Sequence, residues 1–403
     1  MSSSERVSHT AHATRRVLVV DDSAFMRRLV SDVVQSSGEF EVVGTARDGE
    51  DALRQVAALD PDLVTLDVDM PGLDGLGALT RLMREYPRPV VMLSAGTTHG
   101  GMDATLRALE CGAVDFVRKP SGSISLDLDL VREQLLQALR GAATVHVARG
   151  ANAGQTAHTA NSHAANSHST RTESALVSSS ANGQILARTV AEPLTVVAIA
   201  ASTGGPAALA RVIPQLSAFP DVAVIVVQHM PAGFTSSFAR RLDGTSRLRV
   251  AEAVSDEPLR AGHVYVAPGG WHLRVRGPRE HPRLALTDDA PQWGVRPAAD
   301  ILFASVAEVY GPNAVGVVMT GMGRDGADGL KQVRDAGGGT IVQDASTSII
   351  PGMPDAARRA LGSDHGVPLD ELATAIEGAV RQLRAQRGAS AATTAPIASA
   401  GGA

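Results

Sequence analysis

Two stretches of this chain are built from short, β-branched apolar runs, each followed by a longer amphipathic segment, and this alternation restricts the fold more than any other feature. In the first stretch VLVV precedes Asp21, VVG follows Glu41, LVTL precedes Asp67, VVML precedes Ser94 and VDFV precedes Arg118, with helical patterns such as 23–35 and 73–85 between them. Connections of that length pass from the end of one strand to the start of the next, so the strands are parallel and helices cover both faces of the sheet.

The second stretch repeats the pattern around a mixed middle. There the run VVAIAA breaks into Ser202-Thr203-Gly204-Gly205-Pro206, the run 222–227 leads into Gln228-His229-Met230-Pro231, and 315–319 leads into Thr320-Gly321-Met322-Gly323-Arg324-Asp325-Gly326. Each strand thus delivers one polar residue, Ser202, His229 or Asp325, to a loop past its C-terminal edge, where open α/β sheets place their sites. Together these are the parts of a nucleophilic hydrolase, and a triad is defined by geometry rather than chain order. Taken singly, each has a plainer reading. Ser202 and Asp325 are suited to capping helices, Asp325 that of 325–336, and a histidine closing a strand is commonly bonded into its turn. Residues 263–287 read as short strands around a Gly-Gly turn, followed by a helix from 296 to 310. A Rossmann-like phosphate turn at 202–205 is a further alternative, although the spacing is not G-x-G-x-x-G and Asp221 precedes its strand instead of ending one.

Composition separates the two stretches. Residues 139–192 lack a periodic apolar face and carry hardly any charge, so they read as a low-complexity linker; 1–15 and 388–403 read as disordered ends. The echo Asn161-Ser162-His163 and Asn166-Ser167-His168 has no cysteine or carboxylate beside it to complete a metal site. Modules are expected at 16–138 and 193–387. A net charge of -5 and the absence of a basic recognition helix after the linker argue against nucleic-acid binding. The single cysteine, Cys111, excludes an internal disulfide and fits a reducing compartment; its place at the end of a helical stretch suggests a small buried side chain. No apolar run approaches the ~20 residues of a membrane span, and the first sixteen residues lack a secretory core, so a cytoplasmic protein without membrane insertion is expected.

The carboxylates of the first module gather at one sheet edge: Asp21 and Asp22 end the first strand, Asp67 ends the third and Asp69 follows. Such crowded oxygens repel unless a hard cation such as Mg2+ joins them. Ser94 and Lys119 add a hydroxyl and an ammonium on the same rim, a set suited to phosphoryl transfer to a carboxylate. V-V-D-D-S, L-D-V-D-M-P-G-L-D-G, M-L-S-A and V-R-K-P, in that order, resemble a response-regulator receiver domain, which implies a flavodoxin-like, five-stranded doubly wound sheet. The resemblance makes Asp67 the phospho-acceptor and places Asp22, Asp67 and the Asp69 carbonyl on Mg2+, with Asp21 reaching it through water. It further implies that Ser94 and Lys119 bind the phosphoryl group and that Phe116 stands at the aromatic switch position.

The second module resembles the catalytic domain of the chemotaxis protein-glutamate methylesterases, the CheB family, on A-A-S-T-G-G-P, V-V-Q-H-M-P-A-G-F-T, Y-V-A-P-G, P-A-A-D-I-L-F, M-T-G-M-G-R-D-G-A and P-G-M-P. The resemblance implies a Rossmann-like α/β domain with Ser202 as nucleophile, His229 as general base and Asp325 as its orienter, and with oxyanion donors from Met322 and Thr203. Implied as well are hydrolysis of glutamate methyl esters and deamidation of glutamines on chemoreceptor cytoplasmic helices, and phosphorylation by the chemotaxis histidine kinase that relieves inhibition by the receiver. No cofactor is expected for ester hydrolysis. Ala298 stands where many members carry a serine, and the linker is longer than usual. A receiver-controlled serine esterase acting on a different ester, or in a signalling array not tied to motility, is the competing reading.

Overall fold

The computed structural model describes residues 14–95, 99–119, 127–145 and 195–393. The first module has strands β1 (Arg15–Val20), β2 (Phe40–Ala46), β3 (Leu63–Asp67), β4 (Val90–Ser94) and β5 (Asp115–Arg118). They alternate with helices α1 (Ala24–Ser36), α2 (Gly49–Leu59), α3 (Gly75–Glu85), α4 (His99–Glu110) and α5 (Asp127–Thr144). All strands are parallel in the order β2-β1-β3-β4-β5. This is the flavodoxin-like order, in which the chain reverses direction between β1 and β3 and leaves a crevice at the strands' C-terminal ends. Strands β3 and β4 are buried along their whole length, as apolar runs covered on both faces must be.

The second module comprises β6 (Thr195–Ala201), α6 (Gly205–Val212), β7 (Val222–Gln228), α7 (Phe234–Asp243), β8 (Arg249–Glu252), β9 (His263–Val266), β10 (His272–Arg276), β11 (Arg283–Thr287), α8 (Ala299–Tyr310), β12 (Ala314–Val318), α9 (Ala327–Asp335), β13 (Gly339–Val342), α10 (Gly352–Leu361) and α11 (Leu372–Thr393). Six parallel strands form the sheet β13-β12-β6-β7-β9-β8, while β10 and β11 make a separate antiparallel hairpin. From β6 the chain runs one way to β7 and later returns on the other side as β12, so the reversal lies between β6 and β12.

The modules pack on each other. Helix α4 contacts α6 and α7, and the Phe116 ring lies 4.5 Å from that of Phe234. Helix α5 continues to Thr144, past the boundary at 138, and α11 continues to Thr393, past 388. The alanine-rich end of α5 has the composition of a linker, yet Leu139 and Ala142 are buried. The remainder of the linker, the paired Asn-Ser-His segments and the chain ends lie outside the described residues. Cys111 is exposed, contrary to its expected burial: it follows the last turn of α4, where its backbone N–H donates to the Arg107 carbonyl at 3.0 Å.

Candidate active site

Three loops leave the second sheet at its reversal point. Ala201 pairs in register with Gln228, so Ser202 and His229 emerge from adjacent strands at the same level. The His229 N–H donates to the Ala201 carbonyl at 3.0 Å, and Gln228 Nε2 donates to the Ser202 and His229 carbonyls, both at 3.0 Å. From the other side, the Ser202 N–H donates to Thr320 O at 3.0 Å, and the Thr320 hydroxyl donates to Thr203 O at 3.0 Å. Gly205 and Gly321 make this closeness possible. A Cβ at Gly205 would stand 2.1 Å from Gln228 Oε1, and one at Gly321 2.8 Å from Ser202 Cβ.

His229 Nε2 and Asp325 Oδ2 are 2.7 Å apart. Asp325 is 1% exposed and also accepts the Ala299 and Asp300 amides at 2.6 and 3.0 Å. It therefore caps α8 across space and does not cap the helix that follows it, whose N-cap is Gly326 without a side-chain bond. Ala298, the N-cap of α8, has no side chain able to serve those amides, and Asp325 fills that role. Burial alone would raise the Asp325 carboxyl, but His229 and the two amides outweigh it and hold the group below the usual aspartate range.

Ser202 does not cap α6 either, since that N-cap is Gly204. Its Oγ makes no hydrogen bond among the described residues, and with Nε2 on Asp325 the nitrogen left to face a partner is His229 Nδ1. The Thr203 and Met322 amides likewise have no acceptor among the described residues. Thr203 Oγ1, however, donates at 2.5 Å to Asp115 Oδ2 of the first module. Burial pushes the Asp115 carboxyl upward against that bond. Asp115, Gln228 and Thr320 were not singled out by sequence reasoning; only the position of Gln228 beside His229 hinted at one of them.

In the first module, Asp21, Asp22 and Asp67 each bring a carboxylate oxygen within 4.8 Å of the others. Asp21 and Asp67 are buried, whereas Asp22 and Asp69 are exposed. Lys119 Nζ lies 2.7 Å from both Asp21 and Asp67. Burial pushes the Asp67 carboxyl up to about 6 against the pull of that ammonium. For Lys119 burial works downward, but the two carboxylates prevail and hold the ammonium above its ordinary value. Ser94 Oγ is buried and accepts a bond from Thr105 Oγ1 of α4 at 2.8 Å. A hard dication fits this set, because Asp21 Oδ2 and Asp67 Oδ2 are buried oxygens whose one close cation among the described residues is Lys119.

Residues 17–131 match the response regulator receiver domain, and residues 197–376 match the family described as CheB methylesterase. Over 372 residues, 91% of this chain and 97% of the relative, the sequence is 46% identical to a protein-glutamate methylesterase/protein-glutamine glutaminase of Symbiobacterium thermophilum. This chain belongs to the CheB methylesterase family. Proteins of the same description from Pyrococcus abyssi and Geobacillus kaustophilus are 42% and 43% identical, over 92% and 90% of this chain and 94% and 98% of theirs. The family match covers all three site loops, and the receiver match covers Asp21, Asp22, Asp67, Ser94, Phe116 and Lys119. No helix among the described residues is long and apolar enough to cross a membrane.

Proposed function

We propose that this protein is a phosphorylation-activated protein-glutamate methylesterase, converting glutamate methyl esters on chemoreceptor cytoplasmic helices to glutamate and methanol. The observation that carries the reading is His229, level with Ser202 at the reversal point of the sheet and paired with the buried Asp325. Ser202 Oγ attacks the ester carbonyl while His229 Nδ1 takes its proton. The imidazolium, held by Asp325, then protonates departing methanol. Water hydrolyses the acyl-enzyme by the same steps in reverse. The Thr203 and Met322 amides receive the oxyanion, each donor contributing on the order of 3 kcal/mol. With ammonia as leaving group the same steps deamidate glutamine.

In the receiver, Asp22, Asp67 and the Asp69 carbonyl would hold Mg2+ directly and Asp21 through water. Bound Mg2+ would join the crowded carboxylates and offset the charge of the phosphoryl group on Asp67, whose oxygens Ser94 and Lys119 would bind. A route from that pocket to the cleft is built into the fold. Ser94 is bonded to Thr105 of α4, which packs on α6 and α7, and β5 carries Asp115 against Thr203 and Phe116 against Phe234. Phosphorylation that reorients Ser94 and Phe116 loosens this face and opens the cleft. The phosphoryl donor is the chemotaxis histidine kinase, and the reading places the protein in the cytoplasm. The modules are taken as 16–138 and 193–387, with α5 and α11 extending each.

Methanol release from methyl-labelled chemoreceptor membranes, with Mg2+ and a small phosphodonor, tests the reading. Stimulation by the phosphodonor is expected in the native protein and absent in Asp67→Asn; stimulation that survives in Asp67→Asn would overturn the proposed control. No release from native protein would send the activity to a different ester.

Asp115→Ala should raise the unstimulated rate about five- to tenfold and shrink the further gain from phosphodonor. Asp115 ties β5 of the receiver to the Thr203 hydroxyl, beside the oxyanion position, and its removal frees that loop from the receiver. An unchanged basal rate in that assay would remove Asp115 from the control mechanism.

A further inference from the structure

Both tryptophans of the chain stand half exposed on the esterase module, Trp271 at 44% and Trp293 at 48%. Their loops are tied together, the Gly270 N–H donating to the Arg296 carbonyl at 3.0 Å. Trp293 also has a φ of 56°, a left-handed conformation that costs a bulky side chain free energy and that Asn or Gly would adopt more readily. The turn alone gives no reason for a tryptophan there.

Its surroundings hold the indole in one orientation. Nε1–H donates to Asp300 Oδ2 at 2.8 Å, and Asp300 is itself buried, with its amide on Asp325. The Arg324 guanidinium lies over the indole, 4.4 Å from the ring centroid. Arg324 immediately precedes Asp325, and its Nη2 holds both Asp328 oxygens at 2.9 Å. Its Nε and Nη1 have no hydrogen-bond partner among the described residues. A fixed aromatic plane and a guanidinium with donors to spare therefore stand one residue along the chain from Asp325, the partner of His229, and are tied to it through Asp300.

We infer that the Trp293–Arg324 pair is a specificity surface that receives the polypeptide flanking the esterified glutamate. The guanidinium takes a carboxylate or carbonyl of that polypeptide, and the indole face covers its aliphatic stems. The inference rests on the esterase reading above and adds to it what the enzyme grips beyond the ester itself.

Full-length Trp293→Asn and Arg324→Gln are compared with native protein on two substrates, methylated chemoreceptor membranes and the free γ-methyl ester of glutamate. Expected is a rise of about tenfold in KM for the membranes with kcat within about twofold, and little change in kcat/KM for the small ester. Trp293→Phe, which keeps a ring but loses the Asp300 bond, should fall between. An unchanged KM for the membranes in both variants overturns the inference, as do equal losses on both substrates, which would leave Trp293 only the task of holding Asp300. If native protein hydrolyses neither ester, the esterase reading fails first and this inference with it.

Discussion

Asp325→Asn should lower kcat by about three to four orders of magnitude while leaving KM nearly unchanged. The side chain receives three donors and offers none, since His229 Nε2 approaches one oxygen and the Ala299 and Asp300 amides approach the pair from the start of α8. An asparagine replaces one of the two acceptor oxygens with an NH2 group. In place of Oδ1 it meets the Asp300 N–H and leaves that buried amide unpaired; in place of Oδ2 it strands the Ala299 N–H and also forces the His229 tautomer whose proton sits on Nδ1, the nitrogen that would accept from Ser202. Both arrangements also lose the negative charge that stabilises the imidazolium. The same substitution should cost about 2–3 kcal/mol of stability, the scale of a buried hydrogen-bonding group left without its partner. Because the folded carboxyl is held below its ordinary value, its contribution to stability is present above about pH 4 and is lost as pH falls through the lowered value. Unfolding curves of the two proteins should therefore converge on acidification. A variant retaining more than a tenth of native kcat would show that His229 is not oriented by Asp325.

What could be read from the sequence here is what local pattern fixes. Strand ends are written in the chain as β-branched runs stopped by a polar residue, which is why the positions of Asp21, Asp67, Ser94, Ser202 and His229 at C-terminal sheet edges could be anticipated, and that of Asp325 in the glycine-rich loop after such a run. The partner of each was not equally legible. Asp325 looks like the cap of its own helix because it precedes one, and only the crossing of α8 shows that it serves Ala299 and Asp300 instead. Asp115 and Thr203 are 88 residues apart and separated by a linker, so no spacing rule connects them. The end of α5 was hard to read for a compositional reason: Gly141 and Ala142 resemble linker residues, yet Ala142 is buried and Gly141 lies against Ile350, where even a Cβ would make ordinary contact at 3.5 Å. Trp293 carried no signal at all, since a tryptophan in a loop between two polar segments is unremarkable until its φ and its stacking on Arg324 are known.

Ser202→Ala should separate activity from stability more cleanly than any other change in the molecule. Every structural bond of this residue is made by its backbone: the amide to Thr320, and the carbonyl to Gly205 and to the side chain of Gln228. The hydroxyl holds nothing among the described residues, and α6 is capped by Gly204. Removing one oxygen therefore leaves no donor or acceptor stranded, and the melting temperature should stay within about 1 °C of native. Methanol release, by contrast, should fall by about four orders of magnitude or more, leaving only what the oxyanion donors and substrate binding supply without a nucleophile. A serine that merely shaped the strand-to-helix turn would give the opposite pattern, a change in stability with activity following it in proportion. Measured side by side, the two quantities decide between those roles, and activity above about one per cent of native in a protein of unaltered stability would move the nucleophile to another residue.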